Sequence, residues 1–537
     1  MKNRTLAAQS ERPTVTRRRF FKVAAAGAAG TTLIACAPGA AAPAGDDTQD
    51  ESSEDSSAQE DGASSGEATT LLVGWGGAPA NLDPITASAD VEINLLNAIY
   101  DYLIDTDDQA TLVPRLAESW EVSDDGLTYT LNIVEGATWH DGDPLTLDDI
   151  LWTIERLRDP EAATSDLFSA VEGVAAGDGN QIVFTLNATT PDFLFNLSDN
   201  RAVILKQNAE NIGSDFNGTG PFRLVEFNPE DRATLEANGD YWGGAPAIDQ
   251  LELVFFGDAT AAANALRGGQ IDVLLRMDNA TFLGFADEGF TNVNIATNGH
   301  DLVRLRADRE PGNDERVRMA FKMATDRATI FERVQLGFGA QGRDTPVGPL
   351  YGAYYTEDFE LPEHDPEGAR ALLAEAGYED GLDMTLFVPN LADRVALAEV
   401  LAAQWAEAGI NITIEPQEEA VYYGDNGWLE VDLGITPWGS RPIPQFYLDV
   451  AYKTDAIWNE AHFSDAELDE QIDIAGSSVN PDERVAAYRE IQRILIERGP
   501  VIIPYFFAQF GVFSDRVSGV NVHPFAGRTN LNTASIS

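Results

Sequence analysis

The sequence predicts an α/β chain folded as two lobes, on two observations. Its 537 residues exceed what one ordinary core accommodates and fit two or three domains. From about residue 70 to the C-terminus, helical and extended hydrophobic patterns alternate, the signature of mixed α/β units. A hydrophobic fraction of 44% with 9% aromatic residues suffices for several cores.

In chain order, the first segment is not part of that fold. Arg17 and Arg18 precede Arg19, Phe20, Phe21 and Lys22, and a short stretch of small and apolar residues runs from Val23 to Ala35. It is too short for a spanning helix and has the flanks of an export signal; the twin arginine points to the Tat route. "LIAC", Leu33 to Cys36, is similar to a lipoprotein box, so residues 1–36 are expected to be a signal ending at a lipidated Cys36. Cys36 is the sole cysteine, which rules out an intrachain disulfide. Residues 37–69 are Ala, Pro, Ser, Gly and acid, with nine carboxylates and no base from Asp46 to Glu67: a disordered, self-repelling tether. No later segment is apolar enough to cross a bilayer.

The folded pattern then begins. "TLLVGW" (70–75) reads as a strand, and Val91, Leu95, Ala98 and Tyr102 share a helical face. Residues 123–136 read as a turn and strand. Thr146 caps a helix carrying Leu147, Ile150, Leu151, Ile154 and Leu157. "QIVFTL" (181–186) and "LELVFF" (251–256) are strands, followed by a helix near 260–267 and "QIDVLL" (270–275). Val317, Ala320, Phe321, Ala324, Ala328 and Phe331 line one helix. Asp365-Pro366 opens another, which Gly377 stops. "MTLFVP" (384–389), a helix over 391–408 and "INITI" (410–414) form a β-α-β crossover. Asn480-Pro481 starts a helix ending at Gly499-Pro500, and "VIIPYFF" (501–507) is a late buried strand. No short-period repeat is present.

The charge is extreme: 88 Asp+Glu against 35 Lys+Arg, net −53, with Lys2, Lys22, Lys206, Lys322 and Lys453 the only lysines. Such a surface repels nucleic acid and anionic lipid. It suits a chain kept solvated in high salt, hence a halophilic source. Catalytic motifs are missing. His140, His300, His364, His462 and His523 are scattered, with no HExxH or cysteine cluster for zinc. There is no GxSxG elbow and no GxxxxGK[ST] phosphate loop. The runs Asp107-Asp108, Asp124-Asp125 and Asp148-Asp149 lack EF-hand spacing and read as caps and solvated faces. No enzyme, cofactor or metal is expected.

Several stretches carry a family resemblance. "LAESWEVSDDGLTYTLNIVEGATWHDGDPLTLDDILWTIERL" (116–157), "GTGPFRLVEFNPEDRATLEANGDYWGGAPAIDQLELVFF" (218–256), "LRGGQIDV" (266–273), "NDERVRMAFKMATDRATIF" (313–331) and "DPEGARALLAEAGYEDG" (365–381) resemble, in order, blocks of the family 5 solute-binding proteins. These are the peptide-, nickel- and oligosaccharide-binding receptors of ABC importers. The resemblance implies a periplasmic-binding-protein-like fold of type II, in the large class with an extra subdomain. Lobe I would comprise 70–300 plus 505–537, with the extra subdomain about 116–216, and lobe II 301–504. It implies a monomeric receptor that captures a small organic solute or peptide outside the cytoplasm and passes it to membrane permease subunits. The lipid anchor would hold it to the membrane.

Peptide-binding relatives read roughly W-x-x-D in the segment resembling 435–449, the Asp pairing with a peptide ammonium. Here Arg441 stands three residues after Trp438, between Ser440 and Pro442. An ammonium would be repelled there, whereas a carboxylate or phosphate would be held by paired N–H donors. Arg441 and Trp438 are therefore candidate ligand residues, with Asp432 and Asp449 as acids that could instead occupy Arg441. Trp75 and Asn81, in the loop "GWGGAPANLDP" (74–84), are further candidates, while His140 and Asp141 read as structural. Open alternatives are an oligopeptide receptor with a different amine anchor, a nickel or metallophore receptor, and a secreted hydrolase.

Overall fold

A computed structural model describes residues 68–537. Arg17, Arg18, Cys36 and nearly all of the acidic tether lie outside the described residues. Within the described part no helix is long and apolar enough to cross a membrane.

One mixed sheet runs through the molecule. Its main path is Ile410–Gln417, Leu382–Pro389, Leu433–Trp438, Thr291–Leu305, Tyr505–Phe513, Val273–Leu274, Thr70–Trp75, Gln250–Phe255, Arg232–Ala237 and Phe222–Asn228. At one end, Leu382–Pro389 and Ile410–Gln417 pair in parallel across the helix Ala392–Glu407, the crossover read from sequence. The helix buries Leu397, Leu401 and Trp405 against the sheet, and the Trp405 indole donates to Thr325 Oγ1 at 2.9 Å. At the other end, Thr70–Trp75 pairs in parallel with Gln250–Phe255 and buries Leu71, Val73 and Trp75. A run buried on both faces reads as continuous hydrophobicity, as this strand does.

The two ends meet through two long strands. Thr291–Ala296 pairs antiparallel with Ala508–Phe513; the register then shifts, and His300 stands opposite Phe506. From His300 to Leu305 the same strand pairs with Leu433–Trp438. Asn298 and Gly299 thus occupy the irregular step where one strand changes neighbours, a place where a backbone can bend with few ladder bonds to break. A separate four-stranded antiparallel sheet, Ala117–Val122, Thr128–Ile133, Gln181–Leu186 and Val171–Ala176, has its own core of Leu131, Ile150, Phe184 and Phe193 beneath the helix Leu147–Leu157.

The expected caps form. Thr146 and Asp149 make a reciprocal capping box, Asp365 accepts from Gly368 N at 2.9 Å, and Asn480 accepts from Asp482 N at 3.0 Å. Three readings change. The helix through 317–331 is two helices, Glu315–Met323 and Arg327–Val334, because Asp326 caps Thr329 N and starts a new one. Tyr102 lies beyond the helix Asp90–Ile99, buried in the core. "VIIPYFF" is two strands, Val501–Ile502 and Tyr505–Phe513, interrupted at Pro504, which has no N–H for a ladder.

Candidate functional site

The segment 438–447 lies against the irregular step of the long strand, and its backbone is held by Asn298, Tyr351 and its own Tyr447. Asn298 N–H donates to Ser440 Oγ at 3.1 Å, and Asn298 Nδ2 to the Arg441 carbonyl at 3.3 Å. Tyr351 O–H donates to that same carbonyl at 2.9 Å. Tyr447 O–H reaches the Gly439 carbonyl at 2.7 Å and the Asn298 carbonyl at 3.1 Å. His300 fills the space beneath, its ring edge-on to Tyr447 and Phe506. The main chain of Arg441 is therefore fixed before any solute arrives, which lowers the ordering cost of binding.

Its side chain is treated differently. The guanidinium lies over the Phe446 ring, 4.4 Å from the centroid, a cation–π contact worth roughly 0.5–1 kcal/mol. Arg441 is partly buried, Nε has no hydrogen-bond partner, and the guanidinium forms no ion pair among the described residues. The acids that could have taken it are occupied. Asp432 pairs with Arg309, and Asp449 accepts from Gln445 Nε2 at 2.8 Å. Asp199, contributed by the chain after the four-stranded sheet, is gripped by Arg201 at 2.7 and 3.0 Å. Burial pushes the Asp199 carboxyl up, but Arg201 and, last, Arg441 hold it below the usual range. The field of Arg441 thus reaches across to Asp199 while its donors stay open.

Arg304 shows the contrast. Fully buried, it reaches Glu460 at 3.1 Å and the Val431 carbonyl at 3.1 Å. Trp438 belongs to this second system: 8% exposed, it donates Nε1–H to Glu460 Oε1 at 3.2 Å and packs against Tyr447 and Trp458. Burial raises the Glu460 carboxyl, opposed by Arg304 and by hydrogen bonds from Thr436 and Trp438.

The loop after Thr70–Trp75 is held by Glu92, in the first turn of the helix that follows it, and by its own polar side chains. Glu92 accepts four backbone N–H groups, from Ala80 (3.0 Å), Asn81 (2.7 Å), Ser88 (2.9 Å) and Ala89 (3.0 Å). Asn81 Nδ2 donates to Thr86 Oγ1 at 2.8 Å, while Oδ1 accepts from Asp83 N at 3.1 Å, so both ends of that amide work within the loop. Trp75 is 3% exposed, in the core, with its indole N–H unpartnered. Gly76 permits a close approach: a Cβ there would meet Ala259 N at 2.5 Å. His140 and Asp141 are structural: the ring binds the Gly220 carbonyl at 3.0 Å, and Asp141 and Asp143 hold Lys206 at 2.6 Å each. Asn298, Tyr351, Phe446 and Tyr447 were not singled out from sequence; they lie far apart in the chain or behind an unremarkable motif.

A two-ended sheet joined by two strands, with a fixed loop at the junction, is the geometry of a solute trap. Residues 111–459 match the family described as bacterial extracellular solute-binding proteins, family 5. The chain belongs to that family. Members are the solute-capturing receptors of ABC importers, and this extracytoplasmic chain is such a receptor, with the periplasmic-binding-protein fold. It is 27% identical over 467 residues to heme-binding protein A of Haemophilus influenzae, covering 80% of this chain and 85% of that protein. It is 25% identical over 519 residues to the dipeptide-binding protein of Escherichia coli, covering 88% and 95%. Both relatives are named as binding proteins, not enzymes. In fold it resembles the substrate-binding protein CtaP of Listeria monocytogenes, with a TM-score of 0.77 at 22% identity over 88% of this chain and 100% of that one. It also resembles the oligopeptide-binding protein AppA of Bacillus subtilis bound to a nonapeptide, with a TM-score of 0.70 at 23% identity over 88% and 100%. Among the described residues no group of three or more His, Cys, Asp or Glu is placed to hold a metal ion.

Proposed function

We propose that this receptor takes a small organic solute or short peptide by an anionic group, a carboxylate foremost, gripped by Arg441. The observation that carries the reading is the guanidinium itself: partly buried, on a fixed backbone, stacked on Phe446 and without a carboxylate partner among the described residues. Nearly every other buried arginine in this acidic chain has a carboxylate, so an unpaired one is costly unless a partner arrives. A guanidinium offers two parallel N–H donors to a carboxylate, and a closing cleft strengthens that bond by excluding water. Dipeptides and heme, the solutes in the relatives' names, both carry carboxylates. Trp438 then serves as a wall of the cleft, its indole N–H already spent on Glu460.

In this reading Cys36 is lipidated after Tat export, residues 37–69 tether the receptor, and a monomer presents its cargo to the permease. Lobe I comprises 70–300 and 505–537, and lobe II 301–504. The test is native mass spectrometry of the protein with whatever co-purifies, followed by titration of that compound into wild type and Arg441→Asp. The expected outcome is an acidic solute whose affinity falls at least a hundredfold, with the melting temperature of the empty protein nearly unchanged. A cationic or neutral solute bound equally well by Arg441→Asp would refute the reading.

A further inference from the structure

Far from Arg441 in sequence, a second arginine joins two parts of the molecule. Arg484, on the helix Pro481–Arg498, donates Nη2–H to Asp192 Oδ2 at 2.5 Å. Asp192 sits just after the four-stranded sheet, 292 residues away. Both side chains are 8% exposed. Their surroundings are unequal. Arg484 is held on its own side: Nε donates to the Ala475 carbonyl at 2.8 Å, Nη2 approaches Tyr488 O–H at 3.4 Å, and the guanidinium faces the Tyr354 ring at 5.3 Å. The Asp192 side chain caps no helix, and among the described residues Arg484 is its sole side-chain hydrogen-bond partner. Burial raises its carboxyl and Arg484 opposes this. Burial raises the Asp449 carboxyl, and the charge of Asp192 adds a smaller push in the same direction. Next to the pair, the turn at Gly126 seats on Val479, where an added Cβ would come within 2.7 Å of Val479 Cγ1 and 3.0 Å of Thr189 Cγ2.

The geometry points to Asp192 and Arg484 as a closing contact: positioning residues that set how long the trap stays shut. Arg484 is a prepared socket, and Asp192 is the group that finds its partner when the four-stranded sheet comes down on the helix. Separation costs Arg484 little, since its other bonds stay within its own part of the chain. In contact, Arg484 is what makes the approach of Asp192 to Asp449 tolerable. The contact biases a two-state equilibrium without touching solute, whichever solute Arg441 receives.

The test uses the full chain with Cys36→Ser, spin-labelled through Val122→Cys and Val421→Cys, two exposed positions on the two parts (46% and 59%). Pulsed electron paramagnetic resonance then measures the separation without solute in four backgrounds: unaltered, Asp192→Asn, Arg484→Met, and both together. A short distance should dominate the unaltered protein. Each single substitution should lower the short-to-long ratio by roughly tenfold, Arg484→Met more because it leaves Asp192 beside Asp449. The double variant should go no further than the larger single one. Asp192→Asn keeps the side-chain volume, so it remains informative if Arg484→Met melts early. Identical distributions in all four backgrounds, or single effects that simply add, would overturn the assignment.

Discussion

The two candidate loops are built in different ways. In residues 76–89 the loop's own polar side chains and Glu92 are spent on its backbone: Glu92 gathers four N–H groups and Asn81 ties Thr86 to Asp83. In residues 438–447 the backbone is held from outside by Tyr351 and Asn298, with Tyr447 tying the segment's far end back, and the charged side chain is left over. A loop whose polar side chains are spent within it has few to offer a solute, whereas a loop whose backbone is held by other groups can leave a charged one free. That difference sets Asn81, the weaker candidate in sequence, apart from Arg441.

Four perturbations would break or sharpen the contrast. The largest is Glu92→Ala, which removes a buried carboxylate that accepts from four backbone N–H groups and should cost about 3–4 kcal/mol of stability, read by urea unfolding. A loss under 1 kcal/mol would mean that the first loop does not depend on Glu92. Next is pH. Burial holds the His300 imidazole down at about 4 from 6.5, opposed by its bond to the Asn298 carbonyl. The unfolded chain takes up that proton as pH falls through 6.5, and the native protein does not until about 4. The stability is therefore present above about pH 6.5 and lost towards pH 4, by up to about 3 kcal/mol from this group. His300→Phe should flatten the wild-type slope in that window; an unchanged slope would place the titration elsewhere. Third, Tyr447→Phe removes the one phenol O–H that lies between the Gly439 and Asn298 carbonyls and should cost about 1–2 kcal/mol, together with weaker solute binding because Arg441 loses part of its fixed frame. Smallest in stability is Arg441→Gln, at no more than about 1 kcal/mol, the worth of its stacking on Phe446.

Much of the scaffold was legible because it is written locally. Thr146, Asp365 and Asn480 cap the helices they precede, and the crossover 384–414 follows from periodicity and one glycine. Misreadings came where a local signal competed with a pattern: Asp326 restarts a helix inside a continuous apolar stripe, and Pro504 splits a strand within an apolar run. The candidate site was legible only in its oddity, an arginine where the family resemblance leads one to expect an acid. What makes that arginine available is non-local. Asn298 stands 143 residues from it and Tyr351 90; no pattern in either segment announces the other. The acids beside it in sequence, Asp432 and Asp449, turn out to be taken by Arg309 and Gln445. The Asp192–Arg484 contact is invisible for the same reason.

The central claim is that Arg441 stays unpaired within the protein so that it can pair with a solute anion. Its most direct test is calorimetric titration of the co-purifying acid and its methyl ester into wild type and Arg441→Gln. Wild type should prefer the acid by roughly a hundredfold, as expected for a buried charge-assisted pair. Arg441→Gln should bind the two forms with affinities within a few-fold of each other. If wild type fails to distinguish acid from ester, or if Arg441→Gln keeps the full preference, the guanidinium is not the anion's partner and the account is wrong.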